Sequence, residues 1–521
     1  MKAMMAHGLR RTAASTGVVA AIVLGLGAAA VAGGARERVL VKIEVPGLAA
    51  LTAASTAQPG IRPGQARYEP AADQALARAI EGAARELAAR LDSRDVPYAM
   101  LKVFRTVPYV LLDVDREAKY LIAADPMVRS VLRDEPVPLI DAVEKGDTIE
   151  WDATREPAPA RLDNTVHIIG ADAVWAAGNI GTGWWVAILD TGIRSSHQMF
   201  AGKSIVEACF ALGADGAAGA GDCPNGQSSM TGTGSAAHHP SSYEGYDHGT
   251  HVAGIAAGNN GAGLTGVARG ANVIAVNVFT KFGPADCGSP EPCVLTWISD
   301  QISGLEYIYS IRGSYAIGAI NMSLGGGKYT SQAQCDVDDA SNAVKAPVDL
   351  LRAAGIATIV ASGNNGFCDG ISSPGCISSV VAVGASTDGD DRANFSNHLG
   401  SLLEVFAPGV DILSSTGGSD TSYEGWNGTS MATPHVTGAW TLLREVSSST
   451  HRAATVSELL NAVLSTGTSL LVWSCDGQTK PRIQVDAAAD EVRPEVVPGL
   501  AAAGAGLLAI LLGRWLRRRR R

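Results

Sequence analysis

Trp185-Val186-Ala187-Ile188-Leu189-Asp190-Thr191-Gly192 decides the fold: five apolar residues in a row, a carboxylate, then a turn. A run this short, without polar alternation, reads as a strand covered on both faces. Runs of the same texture recur at 273–278, 319–322, 356–361 and 380–383, and helical stretches alternate with them at 248–257, 294–311, 337–354 and 430–446. This alternation predicts an α/β domain built on a doubly wound, mostly parallel sheet. Its site should lie off the C-terminal ends of the strands, where Asp190 stands.

Composition sets the outer bounds. With 46% hydrophobic and 18% charged residues, the 521-residue chain can bury a large core, which excludes a disordered protein. A net charge of −10 excludes a general nucleic-acid binder. The ends differ from the rest. Lys2, Arg10 and Arg11 precede an apolar stretch at 17–32 that closes on Ala30-Val31-Ala32, the layout of a secretory signal peptide over 1–32. At the other end, an apolar run at 496–512 leads into Arg514 and the arginines 517–521. The 494–521 segment resembles the tripartite C-terminal sorting signals of bacterial surface proteins, which a membrane enzyme removes. A plain membrane anchor has the same layout. The expectation is an exported protein of the bacterial cell envelope or the medium, tethered by a transmembrane C-terminal helix for as long as that tail remains.

Residues 38–136 carry a different pattern. Strands at 38–44, 98–106, 109–114 and 128–132 and helices at 71–91 and 118–124 give the order β-α-β-β-α-β of a ferredoxin-like α+β domain. Residues 137–165 follow as a Pro-rich, acidic, exposed linker, and 166–488 form the α/β domain. Eight cysteines fall between Cys209 and Cys475 and include no C-x-x-C pair, which points to disulfides in an exported chain rather than to zinc. Short spacings suggest Cys209–Cys223, Cys287–Cys293 and Cys368–Cys376, leaving Cys335–Cys475.

Three segments carry chemistry. Asp190 ends a strand. His248 opens His248-Gly249-Thr250-His251-Val252-Ala253-Gly254, and Ser430 stands in Gly428-Thr429-Ser430-Met431-Ala432-Thr433-Pro434-His435, both at helix starts. A serine hydroxyl becomes a nucleophile when an imidazole takes its proton and a carboxylate orients that imidazole. The three segments, in the order Asp, His, Ser, resemble those of the subtilisin-like serine proteases (subtilases). The resemblance covers about 166–488 and implies Asp190, His248 and Ser430 as the triad, with His251 structural. Ala361-Ser362-Gly363-Asn364-Asn365-Gly366 resembles the family's oxyanion segment, implying Asn364 as a donor beside the backbone N–H of Ser430. Asn321-Met322-Ser323-Leu324-Gly325-Gly326 resembles the strand that holds extended peptides. Ser323, Leu324, Gly325, Ala361, Ser362 and Gly363 are thereby implied as substrate-binding residues. Residues 38–136 look like the family's inhibitor-type propeptide, a folding chaperone and intramolecular inhibitor released by self-cleavage in the linker.

The resemblance implies no catalytic cofactor and polypeptide substrates. The metal question stays open. Gly258-Asn259-Asn260-Gly261-Ala262-Gly263-Leu264 resembles the family's calcium loop, yet Met199 stands where a carboxylate ligand belongs. Asp388, Asp390 and Asp391 read as a solvated acidic turn or a second calcium site. Small, neutral residues around the pocket favour apolar or broad specificity, and Asp369 alone would favour a basic residue. Two other readings compete: an aspartic protease using Asp190-Thr191-Gly192, which lacks a second such motif, and a catalytically silent, surface-displayed binding protein on the same fold.

Overall fold

The computed structural model describes residues 36–57, 62, 70–140, 143–146, 149–150, 162–214, 220–337, 339–448, 454–472 and 475–493. The signal segment (1–32) and the C-terminal tail (494–521) lie outside the described residues. Among the described residues, no helix is long and apolar enough to cross a membrane.

The larger domain is organised by one ten-stranded sheet. In spatial order its strands are Ser229–Thr231, Ile205–Phe210, Asn272–Asn277, Trp185–Asp190, Ile317–Met322, Ala357–Ala361, Val381–Ser386, Val405–Pro408, Thr479–Arg482 and Thr468–Leu471. All neighbours run parallel except the outermost pair at each edge. The inner strands are buried throughout, which explains their unbroken apolar sequence. Helices His248–Ala257 and Thr429–Ser448 share one core with one face of the sheet; helices Ile298–Ile311 and Asp339–Ala353 share a second core with the other. This is the expected doubly wound α/β architecture.

The smaller N-terminal domain has strands β1 (Glu37–Ile43), β2 (Tyr98–Val103), β3 (Tyr109–Val114) and β4 (Val128–Arg133). They form an antiparallel sheet in the order β2-β3-β1-β4. Helix Ala71–Asp92 buries Leu76, Ile80 and Leu87 in a core of their own with Val39, Val41, Val110 and Leu112. A helix at Leu48–Thr56 was not foreseen; its apolar residues are spread around it rather than along one stripe. The opposite face of the sheet sends Leu40, Tyr109 and Leu111 into the second core of the larger domain. Polar contacts fix the docking. Glu306 accepts from the backbone N–H of Arg105 (2.8 Å) and Thr106 (2.6 Å), and Asp134 accepts from the N–H of Ser299 (3.0 Å) at the start of helix Ile298–Ile311. Arg312, fully buried, donates twice to Asp73 (2.8 and 2.9 Å).

Three expectations need correction. Residues 294–297 are not helical: Cys293–Trp297 is a strand, and the helix begins only at Ile298. Its β-branched and aromatic residues pair with Thr280–Phe282 on one side and with Pro136–Pro138 on the other. The linker therefore starts as a paired strand rather than as free chain. The disulfides are Cys209–Cys223 and Cys287–Cys293 as expected, but Cys335–Cys376 and Cys368–Cys475 replace the other two. Docking overrides spacing here. Asp336 accepts from the N–H and hydroxyl of Ser378 (3.0 and 2.6 Å), drawing Cys335 to Cys376. Asp476 meets His398 (3.0 Å) and the N–H of Gly400 (3.2 Å), which carries Cys475 to Cys368.

Candidate active site

Asp190 leaves the sheet at the end of strand Trp185–Asp190 and is buried. Its carboxylate faces Nδ1 of His248 at 2.9 and 3.1 Å. The turn after the strand is locked to the helix that bears His248, because the N–H of Gly249 donates to the Thr191 hydroxyl (3.0 Å). A Cβ at Gly249 would overlap the carbonyl oxygen of Gly192, so only glycine allows this approach. With a carboxylate on Nδ1, the imidazole proton is held there and Nε2 becomes the basic nitrogen.

Ser430 is the second residue of helix Thr429–Ser448. Its hydroxyl donates to the carbonyl oxygen of Ile140. Asn364 follows strand Ala357–Ala361, and its Oδ1 accepts from the N–H (2.9 Å) and the hydroxyl (2.7 Å) of Thr429. Two donors on Oδ1 fix the amide orientation. They leave Nδ2 on the side of Gly428, next to the serine.

The loop bearing Asn364 is held by Asn397, a buried residue that sequence reasoning missed. Its Oδ1 accepts from the N–H of Asn365 (2.9 Å) and Phe367 (3.1 Å), and its Nδ2 donates to the carbonyl of Ser362 (3.1 Å). No local signal in Phe395-Ser396-Asn397 marks that role. His251 stacks on Trp426 at 4.1 Å with the rings nearly parallel, and its Nε2 donates to the carbonyl of Glu424 (3.0 Å). Burial pushes its pKa down to about 3, so it is a neutral packing residue, as its place in the motif implies.

Two walls form the cleft. Leu324 pairs antiparallel with Leu139, and the N–H of Gly325 donates to the carbonyl of Pro138 (3.2 Å). Ser323 reaches back to the carbonyl of Ser430 (3.2 Å). Residues 361–363 make the second wall: Ser362 donates to the carbonyl of Asn397 (3.0 Å), and Ala361 faces Gly375. A Cβ at Gly325 would overlap the carbonyl oxygen of Ser373, so the first wall also closes on 373–375. Asp369 is ion-paired to Lys328 (2.6 Å), which balances its charge at the lip.

Strand-end carboxylate and imidazole are thus paired, the fixed amide is tied to the residue before the helix-start serine, and the family comparison agrees with these motifs. The Peptidase S8 model, described as the subtilase family, matches residues 181–480. The chain belongs to the subtilase family.

Subtilisin DY of Bacillus licheniformis is 34% identical over 312 residues, covering 58% of this chain and 91% of the relative. Subtilisin Savinase of Lederbergia lenta is 31% identical over 328 residues, 63% of this chain and 96% of its own. An alkaline protease of Alkalihalobacillus alcalophilus is 31% identical over 350 residues, 67% and 77% respectively. Subtilases hydrolyse peptide bonds without a catalytic cofactor. Asp190 in this subtilase faces an imidazole rather than a second carboxylate, which removes the aspartic-protease reading.

Neither the loop 258–264 nor position 199 of this subtilase supplies a carboxylate to an ion. Met199 is fully buried in the apolar core, packed where a Cβ on Gly258 would overlap it. The side-chain oxygens of Asn259 and Asn260 accept from the loop's own N–H groups at Gly261 (2.9 Å), Ala262 (2.8 Å) and Leu264 (3.1 Å). Asp388 binds Asn164 (2.8 Å), and Asp390 binds Arg482 (2.5 Å). Among the described residues, no group of three or more His, Cys, Asp or Glu could hold a metal ion.

Proposed function

We propose that this subtilase is an exported serine endopeptidase that forms an acyl-enzyme on Ser430 and is held inactive by its own N-terminal domain. In this reading His248 Nε2 takes the Ser430 proton as the hydroxyl attacks a peptide carbonyl, and Asp190 stabilises the imidazolium. Asn364 Nδ2 and the N–H of Ser430 meet the oxyanion. His248 then returns the proton to the leaving amine, and water hydrolyses the ester by the same route. Residues 323–325 bind the substrate backbone by strand pairing, which asks little of its sequence.

One observation carries the reading: the chain's own segment at 138–140 meets 324–325 by one bridge and one N–H bond and sets the Ile140 carbonyl at the Ser430 hydroxyl. That is a substrate's position, occupied by the segment that follows the N-terminal domain. Residues 38–136 are accordingly assigned as an inhibitory propeptide. Export fits the four disulfides; the signal over 1–32 and the sorting tail over 494–521 rest on sequence.

Ser430→Ala should abolish casein hydrolysis, release of the N-terminal domain and labelling by a fluorophosphonate. A variant that still matures and digests casein would overturn the nucleophile assignment. A wild-type protein that still refuses the label after limited proteolysis has removed its N-terminal domain would restore the silent-binding reading, against which the intact Asp190–His248 pair and the fixed Asn364 amide argue.

A further inference from the structure

We infer that the chain cuts itself at the peptide bond on the carboxyl side of Ile140, an assignment that rests on the serine-protease reading above. The segment is anchored on both sides of Ser430. Upstream, Pro136–Pro138 is the edge strand of a three-stranded sheet: it pairs with Leu295, Thr296 and Trp297, and the carbonyl of Pro138 also accepts from Gly325. Downstream, the N–H of Val143 donates to the carbonyl of Asn427 (2.9 Å) and that of Gly146 to the carbonyl of Gly425 (2.8 Å). Ile149 and Glu150 continue the pairing along Tyr423 and Ser422. The chain enters by one wall of the cleft and leaves along strand Ser422–Asn427, so the bond facing the nucleophile must lie between these anchors.

Register then singles out one carbonyl. Pro138 is fixed opposite Gly325 and Leu139 opposite Leu324, which brings Ile140 level with Ser323, whose hydroxyl touches the backbone of Ser430. The Ile140 carbonyl is the one hydrogen-bonded to the Ser430 hydroxyl. Burial agrees. Pro136 and Pro138 are exposed and Val137 and Leu139 half-buried, whereas Ile140 is only 6% exposed. An apolar side chain is thus enclosed next to the nucleophile, in a cleft whose nearby Asp369 is paired with Lys328.

The step balances with one water. Ser430 Oγ bonds to the Ile140 carbonyl carbon and its proton passes to His248. The C–N bond to residue 141 then breaks and takes that proton, giving a new amino terminus. Water hydrolyses the Ile140 ester to a carboxylate and restores the serine hydroxyl.

The test uses the full chain, followed by intact mass from the first appearance of product. The earliest N-terminal fragment should end at Ile140 and its counterpart begin at Asp141. Earliest fragments ending elsewhere, but absent in Ser430→Ala, overturn the bond and leave the protease reading intact; cleavage that persists in Ser430→Ala overturns that reading instead. Ile140→Asp must bury an uncompensated carboxylate at the reacting position and should slow processing by about 100-fold or more, while Ile140→Leu should process within a few fold of wild type. Equal melting temperatures of these two precursors in the Ser430→Ala background separate a cleavage defect from a folding defect. Processing of Ile140→Asp at the wild-type rate would refute the assignment.

Discussion

Arg312 and Asp73 offer the sharpest test of the proposed inhibition by the N-terminal domain. Arg312 is fully buried on the larger domain, and the Asp73 side chain is 21% exposed on the smaller one. The guanidinium makes two bonds to the carboxylate and also donates to the carbonyls of Tyr309 (2.9 Å) and Ser55 (3.1 Å). Removing one partner of a buried pair costs about 3–5 kcal/mol, because the other charge stays desolvated. Two carbonyl acceptors and the partial exposure of Asp73 soften that loss, so Asp73→Ala should cost about 2–3 kcal/mol, or roughly 30- to 150-fold in inhibition constant. The assay is titration of the mature protease with the N-terminal domain added in trans, which has its own core around Leu76, Ile80 and Leu112. Adding Arg312→Met to Asp73→Ala should recover much of the affinity, since the uncompensated charge is then gone. An inhibition constant for Asp73→Ala within about threefold of wild type would refute the reasoning, since a buried, doubly bonded pair cannot be that weak.

Three further outcomes are expected. Asn364→Ala should lower kcat by about 10²–10³ with little change in KM, because an oxyanion donor acts only in the transition state; a rise in KM alone would make it a binding residue. His435 is fully buried, with Nδ1 donating to the carbonyl of Met431 and Nε2 facing the Thr165 hydroxyl (both 2.8 Å), and burial holds its pKa down to about 4. An unfolded histidine titrates near 6.5, so below that pH only the unfolded chain takes up the proton. Stability should be complete above about pH 6.5 and fall by about 3 kcal/mol on the way to pH 4. Urea titrations of Ser430→Ala should show this acid limb, to which buried His251 adds, and His435→Gln should make it shallower by about 3 kcal/mol; an unchanged limb would assign it elsewhere. Replacing Cys368 and Cys475 by serine opens a loop of 107 residues, against 6 for Cys287 and Cys293. Chain entropy predicts losses of about 4–5 and about 2 kcal/mol, so calorimetry should show the larger drop in Tm for the first pair.

The parts of the site legible in sequence are those whose geometry is local. Asp190 follows an apolar run that can only be an inner strand, and the turns before His248 and Ser430 feed directly into helices. What stayed hidden depends on distant partners. Cys293–Trp297 fits a helix or a strand by its apolar content, and its pairing with Pro136–Pro138, far away in sequence, decides between them. The disulfides Cys335–Cys376 and Cys368–Cys475 follow from the side-chain docking of Asp336 and Asp476, which spacing cannot report. Asn397 holds the Asn364 loop through backbone groups of a segment thirty or more residues earlier.

The same distant contacts supply the selectivity that the proposed self-cleavage at one bond requires. Strand pairing along 323–325 reads backbone and would accept many registers. The register is set elsewhere. Asp134 on the N-terminus of helix Ile298–Ile311, Glu306 under the N–H groups of Arg105 and Thr106, and Asp73 on Arg312 fix the N-terminal domain as a rigid body. Only Glu135 separates Asp134 from the pairing of Trp297 with Pro136, too short a span to allow a slip. Positioning of this kind supplies what the pocket need not, because a tethered group is presented at high effective concentration in one geometry. None of the docking contacts includes the scissile bond, so they survive its hydrolysis. In the proposed mechanism, cutting after Ile140 therefore leaves the cleft filled by 136–140, and activity should appear only when the N-terminal domain departs or is degraded.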